Sequence, residues 1–271
     1  MAVSRARPIG AIRLSLVAVI AAFALLGAGP VAHPAPVAAM TLDQIETTVL
    51  GWINAERGKR GLAPLRVDPR LVTVAKARAA TMAENQVLAH PSCVKCLFIN
   101  AGIQFYSGTE VIAWSGYSPA ANPANSLFQA WRNSPLHWGI LMSKTYNYIG
   151  LGAGYKSTGH GTYLAGELTE SWDHTHPWSK MTGSSRNDAT VSWSWTGKDT
   201  WLQTHTAGLK SFDVQYRVDS DAWQTIRSGT TAKSLSLGSR SSGHCYSLRV
   251  RSRDNHNLVS AYTGALTVCV P

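Results

Sequence analysis

"YNYIGLGAGYK", Tyr146 to Lys156, is a β-compatible apolar run whose glycines let another backbone approach closely. The "KSTGHG" that follows reads as a turn, and "GTYLAGELTES", Gly161 to Ser171, reads as the hairpin partner across it. Upstream lies a helical pattern in which Leu71, Ala75, Ala79 and Met82 share one face, and these small residues suit close packing on something flat. Helices followed by a meander predict an α/β/α or α+β sandwich for this part of the chain.

The helices around that sheet have readable ends. Thr41 to Arg60 places Leu42, Ile45, Val49, Trp52 and Ile53 at helical spacing, with Thr41 as N-cap and Gly61 after the end. Asp68-Pro69 supplies a cap and a first-turn proline for a second helix that runs to about Asn85. Ala89 to Ser118 reads as loop with short pieces of structure and "SGTEVIAW" in its middle. A third helix is expected over Pro123 to Arg132, ending at "NSP", and a further helical turn over His137 to Met142.

Residues 1–39 carry a basic start (Arg5, Arg7, Arg13), an apolar stretch from Leu14 to Leu26 and small residues at Val37, Ala38 and Ala39, which is the plan of a secretory signal peptide. The apolar stretch is shorter than the roughly 20 residues that span a bilayer, and nothing later approaches a transmembrane segment. The expectation is a secreted, extracellular protein. The formal charge is +10, from 25 basic and 15 acidic residues; the leader holds three of the basic ones and no acid, so the remainder carries +7. A moderately basic exported surface suits anionic wall polymers or lipid headgroups, whereas no Lys/Arg run resembles a nucleic-acid arm, so no nucleic acid partner is expected.

Near Arg186 the style changes. Gly, Ser and Asn cluster in "SKMTGSSRND", helical periodicity ends, and a boundary is placed between residues 41–185 and 187–271. Beyond it "TVSWSW", "SFDVQYRV", "AWQTI", "KSLSL", "CYSLRVRSRD" and "AYTGALTVCV" alternate as six or seven short strands of an antiparallel β-sandwich. Tyr246, Leu248 and Val250 share a face, as do Leu266, Val268 and Val270, so Cys245 and Cys269 both point the other way. Pairing of these strands as neighbours would allow a cross-strand disulfide stabilising by about 3 kcal/mol. In an oxidising compartment two local disulfides, Cys93–Cys96 and Cys245–Cys269, are the simplest of three pairings. For Cys93 and Cys96 a redox pair and a metal site with His90 are the alternatives.

Four stretches carry a resemblance: "WINAERGKRGLAPLRVDPRL" (Trp52 to Leu71), "MAENQVLAH" (Met82 to His90), "GTEVIAW" (Gly108 to Trp114) and "AWRNSPLHWGIL" followed by "YIGLGAG". In this order and spacing they resemble the CAP superfamily of cysteine-rich secretory, antigen 5 and pathogenesis-related 1 proteins, in its bacterial SCP-like branch, over roughly residues 42 to 170. The resemblance implies an α-β-α sandwich with a central cleft into which His90, Glu110 and His137 project. Two histidines and a glutamate form a plausible set for zinc or another divalent metal. The structural alternative is a hydrogen-bonded network that holds the cleft together without a metal. This chain departs from the branch's "GEN" with Thr109-Glu110-Val111, and from its "SPGHRANI" with Ser134-Pro135-Leu136-His137-Trp138-Gly139-Ile140, which makes the cleft more apolar. The second half resembles a fibronectin type III domain on Trp193 or Trp195, "VQYRV", "SLSL" and "CYSLRVRSRD".

The expected fold class is therefore α+β, an α-β-α sandwich followed by a small all-β antiparallel sandwich. The expected function is non-catalytic binding of a lipid, cell-surface or wall ligand. A divalent-metal-dependent hydrolase using the same cleft and a cell-wall adhesin acting through the β-sandwich are the alternatives. Trp193, Trp195, Trp201 and Trp223 are candidates for carbohydrate stacking, and His160, His174 and His176 for a looser metal cluster.

Overall fold

Helix α1 (Leu42–Lys59) starts where Thr41 predicts: the Thr41 hydroxyl accepts from Gln44 N, and the Gln44 side chain accepts from Thr41 N, a reciprocal capping box. The computed structural model describes residues 38–271. The expected signal peptide lies outside these residues except for Ala38 and Ala39. Among the described residues no helix is long and apolar enough to cross a membrane.

After the two-residue β1 (Arg66–Val67), Asp68 caps α2 (Pro69–Asn85), accepting from Arg70 N, with Pro69 in the first turn where its missing N–H costs nothing. The short α3 (Val94–Asn100) and the nine-residue β2 (Ser107–Ser115) occupy the stretch that reads as loop. Helices α4 (Ala124–Arg132) and α5 (Pro135–Leu141) precede the hairpin β3 (Tyr148–Tyr155) and β4 (Thr162–Glu170). The sheet runs β1-β3-β4-β2, antiparallel except for the parallel β1/β3 pair, and β2 lies at its edge.

Helices cover both faces. Ile45, Val49 and Ile53 of α1, with Leu127 and Trp131 of α4, bury against Val111, Ile149, Leu151 and Leu168 on one side. On the other, α2 lies directly on β3. A Cβ on Gly150, Gly152 or Gly154 would collide with the α2 backbone at Leu71, Ala75 and Ala79 respectively. The glycines of the sequence's deciding stretch are thus the seat of α2.

Seven strands follow. β5 (Trp178–Asn187), β6 (Thr190–Lys198) and β9 (Ser234–Leu237) form one antiparallel sheet in the order β5-β6-β9. β7 (Leu209–Val218), β8 (Gln224–Thr230), β10 (His244–Asp254) and β11 (Leu266–Val270) form the other, in the order β11-β10-β7-β8. Val191, Trp193, Trp195, Phe212, Val214, Leu248 and Val250 fill the space between them. The fold is α+β, as expected.

The boundary expected near Arg186 falls inside this second region. Asn187 pairs with Thr190 across a turn in which Asp188 has φ 48°, so the Gly/Ser-rich "TGSSRND" is an edge strand and its hairpin turn. Polar residues suit it because one face of β5 meets solvent. The connection between regions is instead 171–177, and it is packed rather than free. Asn147 Nδ2 donates to Ser171 O at 2.7 Å and to Thr204 O at 3.1 Å, and Leu202 is buried with Leu71, Phe98, Ile103 and Tyr148.

Candidate functional site

Glu110 sits on β2 on the α2 side of the sheet, its side chain fully buried. Its Oε1 accepts from Arg78 Nε at 2.7 Å, and its Oε2 faces His90 Nδ1 at 2.6 Å. A carboxylate can only accept, so His90 Nδ1 carries the proton there and Nε2 is left as the outward acceptor. Arg78, on α2, reaches back with Nη2 to the Ala89 carbonyl at 2.6 Å, so one guanidinium fixes both the glutamate and the segment carrying His90. His90 lies five residues beyond α2, with its side chain 51% exposed.

His137 approaches from α5, partly buried. Burial holds its pKa below the usual histidine value, and repulsion from nearby His90 when both rings are charged adds to that. The position of α5 is set from beneath. The buried Arg57 donates from Nη1 to Leu141 O at 2.7 Å and Ser143 O at 3.0 Å, and from Nε to Ala63 O at 2.8 Å, which ties the end of α5 to α1. Of the three residues named from sequence, His90 and Glu110 are in direct contact, and His137 lies close enough to His90 for their charges to interact.

Two further residues belong to this site. Arg78 carries a sequence signal, a cation three positions after Ala75 and seven after Leu71 on the face that α2 buries. Glu167 is the second. It lies in the middle strand β4, directly opposite Glu110 on one side and Gly150 on the other, fully buried, and among the described residues neither of its oxygens has a hydrogen-bond donor. Burial raises its pKa well above the carboxylate range, and the neighbouring Glu110 charge adds to this. A protonated Glu167 can donate to Glu110, whereas two anions side by side in a buried site repel. Its signal is the single charge in "TYLAGELT", a run buried on both faces.

The fit to a metal is poor in this arrangement. Glu110 has both oxygens committed to Arg78 and His90, which leaves two imidazoles and no third ligand. Among the described residues no three His, Cys, Asp or Glu side chains are grouped so as to hold a metal ion. His160, His174 and His176 do not converge either. His174 stacks on Tyr148 with centroids 3.8 Å apart and meets Asp68, while His176 Nδ1 donates to Val259 O. Cys93–Cys96 and Cys245–Cys269 are disulfides, so the redox-thiol and Cys/His metal readings of the first pair fall away.

With the geometry described, the chain can be set beside known proteins. Residues 50–168 match the profile of the cysteine-rich secretory protein family, CAP. This region carries His90, Glu110 and His137. A curated relative, the uncharacterized protein YkwD of Bacillus subtilis (strain 168), is 28% identical over 116 residues, 41% of this chain. The match spans 43% of that relative's length. A cysteine-rich secretory protein from Staphylococcus aureus subsp. aureus Mu50 aligns over 48% of this chain and 39% of its own, at 16% identity and TM-score 0.40. An extracellular SCP-domain protein from Bacillus anthracis str. Ames aligns over 48% of this chain and 42% of its own, at 22% identity and TM-score 0.37. The matched region ends within β4, so it includes Arg78, His90, Glu110, His137 and Glu167 and stops before the β-sandwich.

Proposed function

We propose that this is an exported, non-catalytic binding protein whose CAP cleft takes an amphipathic ligand, a lipid or another cell-surface molecule, while a fibronectin type III-like sandwich positions it. The observation that carries the reading is the commitment of Glu110. A general base must be free to take a proton from substrate or water, and here both carboxylate oxygens are held by Arg78 and His90. His90 and His137 remain as polar groups, and near them along the chain Leu88, 47% exposed, and Leu136, 72% exposed, present apolar side chains to solvent. Polar hydrogen-bonding groups beside exposed apolar side chains suit a headgroup with an attached chain. For the second region, the Tyr246 hydroxyl donates to Ser241 O at 3.0 Å, the backbone clasp of a tyrosine corner, which supports an immunoglobulin- or fibronectin-like sandwich.

Flotation of the full chain with phosphatidylcholine vesicles, with and without anionic lipid, tests the proposal. The expected result is retention that falls about tenfold or more in Leu136→Asp and His137→Ala, a loss of about 1.4 kcal/mol. Hydrolysis of an ester or peptide panel that requires added zinc and is lost in His90→Ala would overturn it in favour of the metal-dependent hydrolase. Retention on isolated walls that is unchanged in both cleft variants would favour the adhesin.

A further inference from the structure

Away from the cleft, where the two regions meet, four separate stretches of chain build a second concave site. Tyr106 stands just before β2, Trp172 begins the connection after β4, His205 lies in the loop between β6 and β7, and His256 lies in the turn after β10. With Thr206 and Ala207 they line a groove of about 230 Å³. Both large rings are more than half exposed, Tyr106 at 55% and Trp172 at 57%. Their planes lie within 15° of each other with centroids 6.4 Å apart. His205 stacks on Tyr106 at 4.6 Å, and His256 tilts against Trp172 at 5.5 Å.

The polar atoms around these rings have a definite pattern. His205 Nε2 faces Glu170 Oε1 at 3.0 Å and must donate to it, which leaves Nδ1 as an acceptor. His256 Nδ1 donates to the Asp173 carbonyl at 3.1 Å, which leaves Nε2 as an acceptor. Among the described residues no hydrogen bond engages the Tyr106 hydroxyl or the Trp172 indole N–H. The site is also held in advance of any ligand. Asp173, almost fully buried, accepts from Ala207 N and Thr175 N, each at 2.9 Å, and so clamps the connection to the β6–β7 loop. His205 is kept at φ 58°, a backbone conformation that a non-glycine residue adopts only when its surroundings impose it.

Flat aromatic faces with donors and acceptors around their edges are complementary to a sugar ring, whose C–H groups are apolar and whose hydroxyls project sideways. A pyranose with every substituent equatorial presents the flattest C–H face. The volume is below the ~300–1,000 Å³ of a drug-sized pocket, which suits one ring. We propose that this groove is a carbohydrate subsite that takes one gluco-configured pyranose of a neutral β-linked glycan against Tyr106 and Trp172. The site needs residues from both regions, which gives the packed junction between them a role beyond spacing. It also extends the sugar-stacking expectation: Trp193 and Trp195 are core residues and Trp223 packs against the guanidinium groups of Arg217 and Arg249, whereas Trp201, 49% exposed, is open, as Trp172 is.

NMR titration of the full chain with cellotetraose, with a tetramer of N-acetylglucosamine, and with ribitol as an acyclic polyol tests the assignment. The expected result is saturable binding of at least one tetrasaccharide, weakened about tenfold or more by Trp172→Ala and by Tyr106→Ala, partly restored in Trp172→Phe, and unchanged in His90→Ala. Both aromatics are exposed, so the variants should fold, and an unchanged melting temperature checks this. Absence of binding by either tetrasaccharide, binding unaffected by Trp172→Ala in a folded protein, or ribitol binding as tightly as the sugars would overturn it.

Discussion

Two buried carboxylates, one in each region, have opposite surroundings. Asp213 in the β-sandwich accepts from Ser228 Oγ, Gly229 N, Arg251 Nε and Arg253 Nη2, all between 3.0 and 3.2 Å. Glu167 in the β1-β3-β4-β2 sheet accepts from no donor among the described residues and has Glu110 as its neighbour. Burial alone would raise both pKa values. For Asp213 the backbone and arginine hydrogen bonds reverse the effect and hold it low, while for Glu167 burial prevails and Glu110 reinforces it. The first is an acid satisfied as a structural group. The second is an acid placed where only a proton can reconcile it with its neighbour, beneath the candidate site. The difference teaches that burial of a charge says little until its donors are counted.

The largest effect should come from removing the guanidinium that faces the Glu110–Glu167 pair. Arg78→Ala leaves the Glu110 anion facing Glu167 without a counter-charge and frees the His90 segment, and breaking a buried ion pair costs about 3–5 kcal/mol. Chemical denaturation should register this loss. A variant as stable as wild type would mean that Glu110 can dispense with its guanidinium, and the contrast with Asp213 would fail.

Smaller is the expected cost of Asp213→Asn, about 1–3 kcal/mol, because charge-assisted bonds to Arg251 and Arg253 weaken while those two side chains remain partly hydrated. The Asp213 contribution is complete above the unfolded carboxyl pKa of 3.8 and is lost as pH falls through its lower folded value. Comparison of acid denaturation profiles of wild type and Asp213→Asn should therefore show the two converging at low pH.

Smallest near pH 5, and opposite in direction, is Glu167→Gln. Folded Glu167 keeps its proton where the unfolded chain has lost it, so its contribution is complete below the unfolded value of 4.5 and is lost as pH rises towards its raised folded value. The variant should lie within about 1 kcal/mol of wild type near pH 5 and gain on it steadily as pH rises. A constant difference between the two from pH 5 to pH 8 would show that Glu167 does not hold a proton.

Local signals for the fold were strong in the sequence. Thr41 with Gln44, and Asp68 with Pro69, carry their caps in their own side chains, and the period of two around Tyr246, Leu248 and Val250 marks the buried face of β10. β5 was not legible, because an edge strand with one solvated face tolerates the Gly and Ser that elsewhere mark a linker. Nor was β2 read as a full nine-residue strand. Of the candidate site, motif order pointed to His90 and Glu110, which the fold brings into contact, whereas it did not single out Arg78 and Glu167. An arginine in a helix and a glutamate in a strand are ordinary until the partners across the sheet are known.

Sequence by itself determined the capped helices α1 and α2, the β3–β4 hairpin and the face on which Cys245 and Cys269 meet, since these follow from periods and caps set by neighbouring residues. Tertiary structure alone decided which ionisable groups share a site. Register puts Glu110, Glu167 and Gly150 in one row across three strands, and the missing side chains at Gly150, Gly152 and Gly154 let α2, which carries Arg78, lie directly on the sheet. The junction groove has the same origin, because Tyr106, Trp172, His205 and His256 meet only through packing between regions that no local pattern encodes.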